Sequence, residues 1–105
     1  SGLDISGNNA SGSLVVAAES GKVVTAGWSD GGYGYYVIIE HDDGVRTLYG
    51  HCRSGSLMVK AGDKVSTGQA IARVGNTGYS FGAHLHFEVR VNGSAVNPAP
   101  YLGLR

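Results

Sequence analysis

The sequence predicts an all-β single domain of short antiparallel strands, forming a sandwich or a partly open barrel with glycine-rich loops around a groove. Eighteen of the 105 residues are Gly, and the longest stretch without Gly is residues 83–92. A Gly inside a helix costs roughly 1 kcal/mol relative to Ala, so short strands separated by glycine turns are favoured. A length of 105 residues fits one domain of ordinary size.

The apolar runs between the turn-forming residues give the expected strands in chain order: 14–18, 22–26, 35–41, 45–52, 56–60, 64–66, 69–74 and 84–91. The first two are close enough to form a hairpin. Asp42-Asp43-Gly44 separates the third from the fourth and is a strong turn signal. Asn92-Gly93 ends the last strand and predicts a type I′ hairpin turn.

Composition excludes several classes of function. Eight Lys and Arg balance eight Asp and Glu, so no basic cluster is available to neutralise a nucleic acid. No apolar run approaches the roughly 20 residues of a membrane helix. The apolar fraction of 42% is too high for a disordered chain. The single cysteine, Cys52, forms no internal disulfide, so the fold depends on its own core.

The strand 84–91 alternates between apolar and polar residues. Leu85, Phe87, Val89 and Val91 fall on one face, which we predict to be the core face; the other face carries His84, His86, Glu88 and Arg90. The two imidazoles are about 7 Å apart along the strand, so one can hold a metal while the other reaches a group bound to it. From this strand alone, a pair of solvated histidines is an equal alternative.

A second polar strand end lies at residues 46–51. Thr47, Tyr49 and His51 are expected to share one face, and His51 is the third histidine that would close a cluster with the other two. Cys52 is expected to face away from His51 as a small buried residue, which argues against a Cys–His nucleophile. His41 ends its strand beside a turn, and we expect a structural or solvated role.

The motifs along nearly the whole chain resemble the lysostaphin/LytM-type zinc endopeptidases, which cut peptide bridges in peptidoglycan. The matching segments are Gly2-Leu3-Asp4, Leu14 to Val24, Gly32-Tyr33-Gly34 with Val37 to His41, Thr47 to His51, Gly62-Asp63-Lys64-Val65, Gly68-Gln69, Gly75 to Gly78 and His84 to Glu88. Single turns of this kind are weak signals. Four ordered motifs that end in His-Leu-His-Phe-Glu are a strong one.

The resemblance implies roles for four residues. Asp4 and His86 correspond to zinc ligands, and His51 and His84 correspond to the catalytic pair beside the metal. A catalytic Zn²⁺ takes three protein ligands, leaves a position for water and lowers the pKa of that water to about 7. A flanking His orients or deprotonates the water, and a His protonates the leaving amine. Which of the two does which stays open.

The third ligand of the family is a His four residues before the Asp. That position falls immediately before Ser1, so we expect residues 1–105 to be one metallopeptidase domain whose N-terminal part is missing. Genuine replacement of this His is the alternative. Modules of the family that lack full ligands are non-catalytic and bind or regulate cell-wall machinery.

The remaining expectations concern the substrate and the location. Tyr35 follows the Gly-Tyr-Gly turn where the family often has Asn; with Tyr33 and Tyr79 it is a candidate for an aromatic wall of the substrate groove. Packing on the surface of a small sheet is the alternative for each tyrosine. Peptidoglycan peptides as the partner imply an extracellular, envelope or virion-associated protein. A third hypothesis, a biotinyl or lipoyl carrier domain, fits residues 62–69 less well, because neither Lys60 nor Lys64 has the expected flanks.

Overall fold

The computed structural model describes residues 2–6, 12–76 and 84–96, with only the backbone described for residues 2–6 and His84. In this part of the chain the strands are β1 (Gly2–Ser6), β2 (Leu14–Val16), β3 (Gly21–Ser29), β4 (Gly34–Glu40), β5 (Val45–Cys52), β6 (Lys64–Val65), β7 (Ala70–Arg73), β8 (His84–Val91) and β9 (Ser94–Val96). These residues include no helix. Among them, no segment is a helix of the length and apolarity needed to cross a membrane.

The strands form two antiparallel sheets. The large sheet has the order β1-β8-β5-β4-β3-β6, and β9 pairs with β8 beside this path; β2 and β7 form the small sheet. The large sheet does not close on itself, because β1 and β6 lie at its two ends. The predicted all-β fold of short antiparallel strands is therefore confirmed, as an open arrangement rather than a closed barrel.

In the described part of the chain, an apolar core lies where the two sheets meet. Val15, Ile71 and Ala72 of the small sheet belong to the same buried cluster as side chains of the large sheet: Val23, Val37, Ile39, Tyr49, Phe87 and Val89. The Tyr49 and Phe87 rings meet edge to face, with centroids 5.3 Å apart. The predicted core face of β8 is confirmed, since Phe87 and Val89 are fully buried and Leu85 and Val91 pack against the cluster.

The predicted hairpin between residues 14–18 and 22–26 is wrong. β2 pairs with β7, whereas the start of β3 pairs with β6 and the rest with β4. Between β2 and β3 the chain passes from the small sheet to the large one. Ala17 holds the chain to the small sheet just before this point, because its N–H donates to the Gln69 carbonyl and its own carbonyl accepts from the Gly68 N–H. Residues 56–60 are also not a strand; Met58 donates a backbone hydrogen bond to Ile71 without continuing as a ladder.

Both predicted hairpin turns occur. Asp43 and Gly44 have φ of 60° and 74°, and Asn92 and Gly93 have φ of 51° and 86°. Two successive left-handed residues are the geometry of a type I′ turn, which matches the right-handed twist of the strands that it joins. The second turn returns the chain from β8 to β9.

At Gly21, β3 lies very close to the end of β4. A Cβ at Gly21 would overlap the Glu40 carbonyl oxygen and lie 2.8 Å from Ile39 Cγ2. We expect Gly21→Ala to destabilise the protein by about 1–3 kcal/mol, the usual range for overpacking. Gly27→Ala is the matched control in the same strand, because no atom lies within 4 Å of the added Cβ.

The control is expected to be neutral or to stabilise by up to about 1 kcal/mol, since Ala restricts the unfolded chain. Urea unfolding of both variants measures the difference. Equal effects of the two substitutions would contradict this account of Gly21.

Candidate functional site

A cavity of about 320 Å³ opens on the polar face of β8. It is lined by Gly31, Gly32, Tyr33, His51, His86 and Glu88. Three separate parts of the chain supply these residues: the turn between β3 and β4, the end of β5 and the middle of β8. The site is therefore assembled by strand pairing and not by one local motif.

The pairing of β8 with its two neighbours determines which residues meet. His86 lies opposite Asp4 of β1 on one side and opposite Gly50 of β5 on the other. His84 lies opposite Ser6. The structure thus brings the backbones of Asp4 and His86 to one rung of the sheet; the side chains of Asp4 and His84 lie outside its description.

His51 reaches the site through a bulge at the end of β5. Gly50 and His51 together oppose the single residue Tyr36 where the β4–β5 register shifts, and His51 adopts a left-handed φ of 59°. A bulge re-aims a side chain that regular alternation would place elsewhere. The face predicted to be shared by Thr47, Tyr49 and His51 is therefore wrong for His51, whose ring centroid lies 5.9 Å from that of His86.

Two contacts hold the backbone of His51 in this conformation. Its N–H donates to the Tyr33 carbonyl at 2.6 Å, and its carbonyl accepts from the Gly75 N–H at 3.0 Å. The preceding Gly50 lies between Tyr33 and His86, since a Cβ there would be in ordinary van der Waals contact with both, 3.4 Å from Tyr33 and 3.5 Å from the Cβ of His86. No sequence pattern signals a left-handed His, so regular alternation missed it.

Of the three tyrosines predicted to contact substrate, Tyr33 lines the cavity. Its ring stacks with those of His86 and Tyr36, with centroid distances of 5.7 and 5.9 Å. Tyr35 instead packs against the core and meets the exposed Trp28 edge to face, 5.1 Å away. Tyr79 lies outside the described residues. The substrate roles of all three stay predictions.

Glu88 is a member of the site to which the sequence reasoning gave no role. Its largely buried carboxylate accepts hydrogen bonds from His86 Nε2 and the Tyr33 hydroxyl, both at 2.8 Å, and from Arg90 Nε at 3.1 Å. The signal that could have found it is its place two residues after His86, on the same face of β8.

The surroundings of Glu88 keep it charged. Burial alone would raise the pKa of this carboxyl. The hydrogen bonds from His86, Tyr33 and Arg90, together with the charge of Arg90, outweigh burial and hold the pKa below its ordinary value. Glu88 is therefore an anion at neutral pH and can only accept hydrogen bonds.

The donor chemistry of His86 fits a metal ligand. Since the Glu88 carboxylate only accepts, Nε2 of His86 carries the hydrogen, and in the neutral ring Nδ1 then has the lone pair that a metal needs. A carboxylate on the second ring nitrogen is the usual arrangement for a metal-bound His. Among the residues whose side chains are described, no three His, Cys, Asp or Glu form a metal-binding group; Asp4 and His84 are not among them.

His41 has a structural place at the other end of β4. Its Nδ1 donates to the Ser20 carbonyl at 2.8 Å, and its Nε2 lies 2.8 Å from the hydroxyl of Thr47. That hydroxyl also bonds the Tyr49 hydroxyl, which accepts from the Ala18 N–H. These hydrogen bonds connect the end of β4 to residues 18–20, the segment between the two sheets, as expected for a structural His.

Cys52 is buried in the core, as predicted. Burial raises the pKa of its thiol to about 12, and its side chain is directed at the Tyr49 carbonyl, 3.5 Å away. The thiol is therefore protonated at neutral pH and is no nucleophile.

We expect Cys52 to resist an aromatic disulfide reagent at about pH 8 in the folded protein, because burial and the raised pKa suppress the thiolate. The same reagent should react fully after unfolding in guanidinium. The measurement is the absorbance of the released thiol. Rapid, stoichiometric reaction of the folded protein would contradict the assignment.

Substitutions at His51 test the left-handed backbone. His51→Gly and His51→Ala both remove the imidazole, but only Ala resists φ of 59°. We therefore expect the Gly variant to be more stable in urea unfolding by roughly 0.5–1 kcal/mol.

At the neighbouring Cys52, where φ is not positive, Ala should be more stable than Gly. This reversed order is the control. If Ala is also the more stable substitute at His51, the strained backbone is not a property of the molecule in solution.

Comparison with known proteins places this geometry in context. The sequence-family model of Peptidase family M23 matches residues 1–98 of this chain. The murein hydrolase activator NlpD of Salmonella dublin is 41% identical over 104 residues, which are 99% of this chain and 26% of NlpD. The chain thus spans about a quarter of that relative.

Solved structures share the fold. The catalytic domain of the antimicrobial peptidase lysostaphin from Staphylococcus simulans has a TM-score of 0.85 and 39% identity, covering 97% of this chain and 77% of that one. A zinc containing peptidase from Vibrio cholerae has a TM-score of 0.74 and 39% identity, covering 81% of this chain and 25% of that one. The family resemblance seen in the motifs is confirmed: this chain belongs to peptidase family M23.

Proposed function

We propose that this domain is a zinc-dependent endopeptidase that hydrolyses peptide bonds in the stem peptides or cross-bridges of peptidoglycan. Membership of peptidase family M23 and the likeness to lysostaphin support the reaction class. The likeness to a zinc containing peptidase supports the metal. Such a substrate implies work at the cell envelope, outside the cell or on a virion.

The observation that carries the proposal is the cluster around His86. Asp4 lies opposite His86 in the β1–β8 ladder, and the His51 ring is 5.9 Å from the His86 ring at the cavity. Directly opposed residues of an antiparallel pair share a face of the sheet. We therefore assign the zinc to Asp4 and His86; the family pattern adds a His four residues before Asp4.

Each residue of the cluster has a distinct task. Zinc bound there would polarise the peptide carbonyl and lower the pKa of a coordinated water to about 7. His51 is held beside His86 by its backbone contacts and is assigned to orient the water or to exchange a proton with it. His84, two residues from His86 on the same strand, is assigned the other half of the proton transfer.

The aromatic residues are assigned to the substrate. Tyr33 presents its ring at the cavity beside His86, where it can pack on the peptide on either side of the bond that is cut. Tyr35 and Tyr79 are proposed as further contacts along the groove.

A second function is favoured by one specific observation. The relative NlpD, 41% identical over nearly the whole chain, is a murein hydrolase activator. A module that binds and activates a separate wall hydrolase, without turnover of its own, is therefore the alternative.

Zinc content and peptide release separate the two. The chain and a form with His placed directly before Ser1 are incubated with zinc, desalted and measured for metal, then incubated with purified peptidoglycan. We expect one zinc per chain and multiple turnover in at least the His-extended form. His86→Ala should lose the zinc, whereas His84→Ala should keep it and slow hydrolysis by about 10²–10⁴-fold.

His41→Ala is the control, since it removes an imidazole far from the cavity and should lower stability without changing the rate per folded molecule. An unchanged rate of hydrolysis in zinc-loaded His84→Ala would contradict the proposed mechanism. Absence of turnover in both forms, with stimulation of an added murein hydrolase, would establish the activator instead.

A further inference from the structure

Four side chains on the polar face of β8 and the preceding turn are joined by hydrogen bonds; we name them the Glu88 network: Tyr33, His86, Glu88 and Arg90. Glu88 Oε2 accepts from His86 and Tyr33, and Glu88 Oε1 accepts from Arg90. Arg90 Nη2 also donates to the Tyr33 hydroxyl at 3.0 Å.

The chemistry of these groups fixes the direction of every bond. Arg90 has donors only, so the Tyr33 hydroxyl accepts from it and turns its own hydrogen to Glu88. The carboxylate has acceptors only, so His86 must donate through Nε2. The direction of every hydrogen bond in the network therefore follows from two ions: Arg90, which can only donate, and Glu88, which can only accept.

We propose that Glu88, held by Arg90 and Tyr33, is the positioning residue that locks His86 in the Nε2–H tautomer and so presents Nδ1 to the metal. The lock is a property of the metal-free protein. Only its consequence for zinc affinity rests on the proposed function.

The two oxygens of Glu88 have different partners, and this makes the proposal testable with one isosteric change. In Glu88→Gln, one position becomes an NH₂ donor. If that donor faced Arg90, it would oppose the two guanidinium N–H groups, so the amide oxygen should turn to Arg90. The NH₂ group then faces His86 Nε2, which must become an acceptor, and the hydrogen moves to Nδ1.

The first readout is the tautomer of His86, measured by long-range ¹⁵N–¹H NMR of the metal-free protein in mildly alkaline solution. Wild type should show the hydrogen on Nε2, and Glu88→Gln should show it mainly on Nδ1. The second readout is zinc affinity, which should fall by about 10–100-fold, the usual effect of removing a carboxylate behind a ligating His.

Two further variants make the result specific. Glu40→Gln is the matched control, because Glu40 forms an exposed ion pair with Arg46 outside the site and should change neither readout. In the double variant Glu88→Gln/Arg90→Leu no guanidinium opposes the NH₂ group. The amide oxygen can then face His86, and the Nε2–H tautomer should return even if the single variant folds poorly.

The outcomes separate this inference from the proposed function. An unchanged tautomer in Glu88→Gln, or a double variant that keeps the hydrogen on Nδ1, overturns the lock. A shifted tautomer with unchanged zinc affinity overturns its role in metal binding. If neither the chain nor the form with His placed before Ser1 binds zinc but the tautomer shifts as described, the lock stands and the proposed function fails.

Discussion

The register of β8 is the constraint on which the rest of the site depends. Phe87 and Val89 are fully buried in the core, and burial of each such side chain contributes about 1.5–3 kcal/mol. A slip by one residue would expel both and turn His86 and Glu88 into the core, because side chains alternate along a strand. The core therefore fixes which residues of β1 and β5 meet His86, although no core residue belongs to the site.

The bulge at the end of β5 is the second requirement, and it works against regular strand geometry. A left-handed non-glycine residue costs of order 1 kcal/mol or more and persists only where surrounding contacts over-determine it. At His51 the contacts are its backbone bonds to Tyr33 and Gly75. Tyr33 therefore supports the site twice, through its carbonyl to His51 and through its ring and hydroxyl to His86 and Glu88.

Residue patterns predicted the parts of this molecule that follow from alternation and turn chemistry. The limits of β5 and β8, the turn at Asp42-Asp43-Gly44, the type I′ turn at Asn92-Gly93 and the core face of β8 were all predictable, because each depends on neighbours in sequence. The pairing of β2 with β7 was not, since adjacent apolar runs do not reveal that the chain crosses between sheets at residues 18–20. The left-handed backbone of His51 was not predictable either. It depends on hydrogen bonds to Tyr33 and Gly75, which are 18 and 24 residues away in sequence.

The proposed zinc site binds one metal at His86 through nitrogen and oxygen ligands, with the buried thiol excluded. X-ray absorption at the zinc edge of the zinc-loaded protein tests it directly. We expect a shell of nitrogen and oxygen ligands at about 2.0–2.2 Å with an imidazole contribution, and no zinc retained by His86→Ala. A sulfur ligand at about 2.3 Å, or zinc retained with an unchanged spectrum in His86→Ala, would contradict this assignment.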